Sequence, residues 1–151
     1  MLRARLNEEL KSAMKAKELR TVSTVRLILA ALKDRDIAAR GHGNAEGISD
    51  EEIGDLLQKM IRQRRESIEL YQQGKREDLA QQEREEIAII ERFLPQQMSE
   101  SEVAVTVSAL IAELGAVSVK DMGRVMATLK QRHSGQMDSA KASALVKERL
   151  S

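Results

Sequence analysis

The sequence predicts an all-α protein with an N-terminal helical subdomain of about four helices (1–94), followed by a C-terminal three-helix bundle (95–151). Three observations carry that reading. Apolar residues recur at spacings of three and four, the helical period, along almost the whole chain. Aromatic and β-branched runs of the kind strands need are scarce, with one Tyr and one Phe in 151 residues. The single proline, Pro95, stands between the two sets of periodic segments.

The first helix is expected from about Leu2 to Lys17, where Leu6, Leu10 and Met14 fall four apart and draw one narrow apolar stripe. Val22, Val25, Ile28, Leu29 and Leu32 give the second helix a wider stripe. Three of the eight glycines lie within Arg40 to Ile48, which therefore reads as a loop. Ser49 and Glu52 have capping-box spacing and start the third helix, which runs through Ile53, Leu57, Met60, Ile61, Ile68 and Tyr71 to about Gln73. Gly74 is the expected left-handed terminator. A fourth helix, about Glu77 to Phe93, turns Leu79, Ile87, Ile90 and Leu94 inward.

Pro95 disfavours helical geometry at Leu94 and lacks a backbone donor, so a boundary is placed at Leu94 to Met98. A second capping box, Ser99 with Glu102, opens a helix from about Glu100 to Leu114. Two more follow, about Val119 to Arg132 and about Ser139 to Leu150. Ser118 and Asp138 are their expected N-caps, and Gly115 and Gly135 are the expected helix-ending residues.

Composition removes several function classes. Without cysteine there is no disulfide, thiolate metal site or cysteine nucleophile, and two histidines alone do not suit zinc. No stretch reaches the roughly 18 apolar residues of a membrane span, and MLRARLNEEL lacks the apolar centre of a signal peptide. These features suit a cytoplasmic protein with no membrane partner and no cofactor. His42, in the glycine-rich loop, and His133, at a helix C-terminus, read as structural. The segment from Gly41 to Gly47 follows a helix and lacks a Gly-Lys-Ser/Thr ending, so it is not a phosphate-cradling loop.

Basic residues are more informative. Arg62, Arg64 and Arg65 are expected on a solvated face, with Glu66 and Glu69 four positions after Arg62 and Arg65 to compensate them. From Ser118 to Ser151, by contrast, seven basic residues face three acidic ones, a local excess of four charges in a chain whose net charge is +1. With Met122, Val125, Met126 and Leu129 inward, Lys120, Arg124, Thr128 and Gln131 are left outward. Such a surface suits a phosphate backbone, and the candidate RNA contacts are Lys120, Arg124, Lys130, Arg132, Lys141 and Lys147. With Tyr71 and Phe93 assigned to the core, contact would be to phosphate and shape rather than to stacked bases.

Four ordered strings then carry a resemblance. Gln63-Arg64-Arg65-Glu66-Ser67-Ile68, Gly74-Lys75-Arg76-Glu77-Asp78-Leu79-Ala80, Phe93-Leu94-Pro95-Gln96-Gln97-Met98-Ser99 and Asp121-Met122-Gly123-Arg124-Val125-Met126 resemble the YqeY-like family across residues 2 to 151. That family's C-terminal part is similar to the tail domain of the GatB subunit of the tRNA-dependent glutamine amidotransferase, which helps to hold tRNA while catalysis occurs elsewhere. The correspondence reaches Gly123, Arg124, Val125 and Met126, and Gly135 with Asp138. Gln136 stands where the family often has a basic residue, which weakens phosphate contact at that turn.

The resemblance implies a non-catalytic accessory protein that engages tRNA or tRNA-like RNA. Family members are associated with glutamine-dependent carbon-nitrogen ligase activity, yet this sequence offers no amidase nucleophile set and no ATP site. The alternative is an adaptor that docks on a ligase or synthetase partner, with Tyr71 near the end of the third helix as an anchor.

Overall fold

No strand forms anywhere in the computed structural model, which describes residues 1–151. Seven α-helices and one 3-10 turn divide between two units, Met1–Leu94 and Pro95–Ser151.

In the first unit, α1 (Leu2–Ala16), α2 (Leu19–Gly41), α3 (Asp50–Gln73) and α4 (Glu77–Glu91) surround a core that includes Leu6, Val25, Ile28, Ile53, Leu57, Ile90 and Phe93. Each such side chain contributes on the order of 1.5–3 kcal/mol by leaving water. The stripe on α1 is shorter than its spacing suggests: Leu6 is buried, Leu10 is partly covered and Met14 is exposed. Lys17 ends α1 in the left-handed region (φ 57°), and the Glu18 amide donates back to the Ala13 carbonyl at 3.0 Å. That closure satisfies the last carbonyls without a glycine.

Three further expectations need correction. The second helix continues through Arg40 and Gly41, because one glycine at the end of a long, well-packed helix does not outweigh its propagation. At the end of α3, Gly74 is right-handed (φ −82°) and Lys75 takes the left-handed position (φ 58°). The Arg76 amide reaches back to the Tyr71 carbonyl at 2.8 Å, so closure falls one residue later than expected. The fourth helix stops at Glu91, and Arg92, Phe93 and Leu94 leave it through turns before Pro95.

The N-cap of α3 is the full reciprocal capping box of Ser49 and Glu52. Ahead of it, Asp36 of α2 binds the loop that leads into α3. Its Oδ1 accepts the Ile48 amide at 2.9 Å, and Arg3 of α1 donates both to Asp36 and to the Ile48 carbonyl. Three elements are thereby tied at one carboxylate.

In the second unit, α5 (Glu100–Leu114), α6 (Met122–Arg132) and α7 (Ser139–Leu150) pack on Val107, Leu110, Val125, Leu129, Ala142, Val146 and Leu150. The Ser99–Glu102 capping box opens α5, and Gly115 closes it at φ 64°. The stretch expected as one helix from Val119 is a 3-10 turn, Val119–Asp121, followed by α6. The cause lies in Asp121, whose Oδ2 accepts the Val117 amide at 2.9 Å and the Ser118 amide at 3.4 Å and tightens the entry. Asp138 caps α7 by accepting the Ala140 amide at 3.0 Å.

Candidate nucleic-acid interface

The segment before α5 is laced to the turn between α6 and α7. The Met98 amide donates to the Gln136 carbonyl at 2.9 Å, and Gln97 Nε2 donates to the Gly135 carbonyl at 2.8 Å. Gly135 has φ 74°, and a Cβ there would stand 3.2 Å from the Pro95 ring. Pro95 therefore packs directly against Gly135, and the positive φ and this close approach both favour glycine there. Gln136 is held in this seam by its own carbonyl, and its side-chain Oε1 lies 3.2 Å from His133 Nδ1. His133 is the C-cap residue of α6.

With Val125 and Leu129 buried on α6, and Ala142, Val146 and Leu150 buried on α7, all six candidate contacts are exposed. Their surroundings differ. Arg132 forms a two-pronged pair with Glu113 of α5 at 2.7 and 2.9 Å, which neutralises its charge at the bundle surface. The same contact lowers the Glu113 carboxyl below its ordinary range. Arg124 makes a longer contact, 3.3 Å, to Asp121. Lys120, Lys130, Lys141 and Lys147 are exposed and form no ion pair. Arg149, also basic but not a candidate contact, is bonded to Ser108 of α5.

The six do not form one patch. Arg124 and Lys130 are six positions apart on α6, and Lys141 and Lys147 six apart on α7, so each pair is splayed by about 120° around its helix. Gly123 and Lys130 share one flank of α6, at seven-residue spacing, whereas Arg124 belongs with Gln131. The local excess of four charges is also offset once α5 is included. Over Pro95–Ser151 seven basic residues meet six acidic ones, because Glu100, Glu102 and Glu113 join Asp121, Asp138 and Glu148. The lysines thus act as separate points of charge.

Gly123 is exposed, without a positive φ, and a Cβ there would meet nothing within 4 Å. The fold itself does not require glycine at this position.

In the first unit, the arginine cluster of α3 departs from its expected solvated face. Arg64 is only 13% exposed and reaches α4, with its Nε 3.0 Å from Glu86 and 4.0 Å from Glu83. Its Nη1 donates to the Met60 carbonyl at 3.2 Å. Burial and the neighbouring Glu86 push the Glu83 carboxyl above its ordinary value against the opposing pull of Arg64. The signal was present in the sequence: Arg64 falls in register with Leu57, Met60, Ile61 and Ile68, on the apolar side. Asp36 gives the same signal, four positions after Leu32. Tyr71 is half-buried, and the exposed apolar residue near the end of α3 is Leu70.

No single helix is long and apolar enough to cross a membrane. No three His, Asp or Glu side chains converge into a metal-binding group.

The chain is similar to altered inheritance of mitochondria protein 41, mitochondrial, of Lachancea thermotolerans, at 37% identity over 113 residues, 74% of this chain and 58% of the relative. The protein of the same name from Eremothecium gossypii is 33% identical over 114 residues, 74% of this chain and 60% of the relative. That of Saccharomyces cerevisiae is 33% identical over 98 residues, 65% and 51% of the two chains. The matches therefore span between half and three-fifths of these relatives' lengths.

These relatives overturn the expectation of a cytoplasmic protein, since all three are named as mitochondrial. A lack of cysteine does not discriminate between the two compartments, which is why composition misled. The family of Yqey-like proteins matches residues 3–150, and with nearly the whole length covered, the chain belongs to the YqeY-like family.

Proposed function

We propose that this chain is a non-catalytic accessory protein whose C-terminal unit engages the sugar-phosphate backbone of tRNA or tRNA-like RNA. The observation that supports this reading is the set of four exposed lysines, Lys120, Lys130, Lys141 and Lys147, whose charges no carboxylate of the chain neutralises. Arg124, held at 3.3 Å by a single contact to Asp121, is free to exchange that partner for a phosphate. Arg132 drops out of the contact set because both prongs of its guanidinium are committed to Glu113. Separated point charges suit a curved, folded RNA better than a flat groove, and they read shape with little sequence discrimination. The resemblance to a tRNA-holding tail supports the same reading.

The test is binding of the full chain to a bulk tRNA pool across a salt series. Counterion release makes the logarithm of affinity fall linearly with the logarithm of salt, by nearly one unit of slope per engaged phosphate. Lys130→Gln with Lys141→Gln should weaken binding and flatten the slope by about two. Arg132→Gln should leave the slope unchanged. Equal affinity in all variants would overturn the reading.

A second reading, an adaptor for a ligase or synthetase subunit, is favoured by Val105, Val117 and Val119, which are exposed on this unit. Recovery of a defined protein partner that persists after nuclease treatment and is lost in Val117→Asp would support it.

A further inference from the structure

In the seam between α3 and α4, Arg64 faces two acids. Glu83 and Glu86 lie three positions apart on α4, a spacing that puts both on one side of the helix, and both approach the same nitrogen of Arg64. Glu86 binds it, with Oε2 3.0 Å from Nε, whereas Glu83 stands at 4.0 Å, beyond hydrogen-bond reach. The side chains of Arg64, Glu83 and Glu86 are 13%, 20% and 17% exposed, so water screens them poorly.

The position of Glu83 in the sequence accounts for its burial. It falls between Ala80 and the pair Ile87 and Ile90 in the three-four rhythm of the inward side of α4, and all three of those residues are buried. An acid thus stands where an apolar residue would ordinarily pack. The other charges around it are engaged elsewhere. On α4, Arg84 pairs with Glu77 at 2.6 Å. From α2, which also packs on α4, Arg20 pairs with Glu85 at 3.3 Å. From α3 come Arg64, with its Nη1 bonded to the Met60 carbonyl, and farther along the half-buried Tyr71.

One guanidinium therefore serves two carboxylates, and with both ionised the node carries one negative charge in excess. Like charges in a partly desolvated site favour uptake of a proton, and the acid without the short contact is the one that takes it. We propose that Glu83 is a proton-binding site in the α3–α4 seam, and that one proton there leaves Arg64 and Glu86 as a neutral pair and tightens the hairpin. The stability this adds is complete below the ordinary carboxyl value of 4.5 and is lost as pH rises through the higher value of the folded chain. The Arg3–Asp36 clamp weakens only below 3.8, so the seam tightens in a range where the clamp is still closed.

Carboxyl-carbon NMR of the full chain, followed against pH, tests the site. Glu83 is expected to titrate above 4.5, and Glu86→Gln, which removes the like charge, should bring that titration down. Glu83→Gln puts a neutral amide of the same size where the protonated acid would be. It should raise the urea midpoint at neutral pH, and its advantage over the wild-type chain should shrink as pH falls toward 4.5. A side chain that merely packs predicts a difference that does not change with pH. Titration of Glu83 at or below 4.5, a Glu83→Gln chain less stable than wild type at neutral pH, or a difference independent of pH would each overturn the proposal.

Discussion

The Arg3 guanidinium closes two hydrogen bonds on the Asp36 carboxylate, Nε to Oδ2 at 3.2 Å and Nη2 to Oδ1 at 2.5 Å, and so fastens α1 to α2. The Asp36 side chain is 11% exposed, so few of its lone pairs are left to water. Hydrogen bonds to a charged group are worth about 1.5–3 kcal/mol each way they are lost, more than a neutral pair. Arg3→Ala should lower the unfolding free energy, read from urea titration, by an amount in that range. Asp36→Asn should do so as well, because an amide cannot accept all three donors, Arg3 Nε, Arg3 Nη2 and the Ile48 amide.

Acid stability follows from the same carboxylate. The bond from Arg3, helped by the Ile48 amide and opposed by burial, holds Asp36 below its ordinary value of 3.8. A group whose folded value is depressed adds stability that is complete above the unfolded value and is lost as pH falls toward the folded one. Stability measured by urea unfolding should therefore fall below pH 3.8, and the part due to this residue should vanish in Asp36→Asn. An identical acid limb in the variant would show that other carboxylates govern it.

Gly47 carries a sharper steric prediction. Its φ is 85°, and a Cβ would stand 2.3 Å from Asp36 Oδ1 and 2.9 Å from Arg3 Nη2. Gly47→Ala should cost the left-handed strain of about 1–2 kcal/mol and, in addition, displace the Arg3–Asp36 pair. Gly43, at φ 91° with nothing within 4 Å, provides the control. Gly43→Ala should cost the strain alone, and equal losses at the two positions would refute the role given to the clamp.

The Arg64 node predicts the opposite pH trend. Removing the guanidinium in Arg64→Met takes away the only charge that lowers Glu83, so the carboxyl should titrate at a higher pH than in the wild-type chain. A carboxyl raised in the folded state binds protons more tightly there, and stability then increases as pH falls through that value. The variant should be less stable than wild type near neutrality and recover part of the difference on mild acidification. Carboxyl carbon chemical shifts followed against pH would read Glu83 directly.

Much of the fold was legible because helices announce themselves through short-range rules. The boxes Ser49–Glu52 and Ser99–Glu102, the left-handed Gly115 and the cap at Asp138 each depend on residues within a turn of one another. What escaped depends on distant partners or on competition among near-equal local choices. Lys75 in place of Gly74 is a shift of one residue in where the helix closes. The pairings of Arg64 with Glu86, 22 positions on, and of Arg132 with Glu113, 19 back, reassign charges that local spacing had left facing water. At the candidate interface the same kind of long-range contact pairs Arg132 with Glu113, and the acids of α5 reduce the basic excess that a count from Ser118 onward displays.

The measurement that bears most directly on the account is the salt dependence of tRNA binding by the full chain. With Lys120, Arg124, Lys130, Lys141 and Lys147 engaged, the slope of log affinity against log salt should approach about −4 and flatten stepwise as lysines are replaced by glutamine. Binding that is absent at low salt, or that keeps its slope when Lys130 and Lys141 are both replaced, would contradict it.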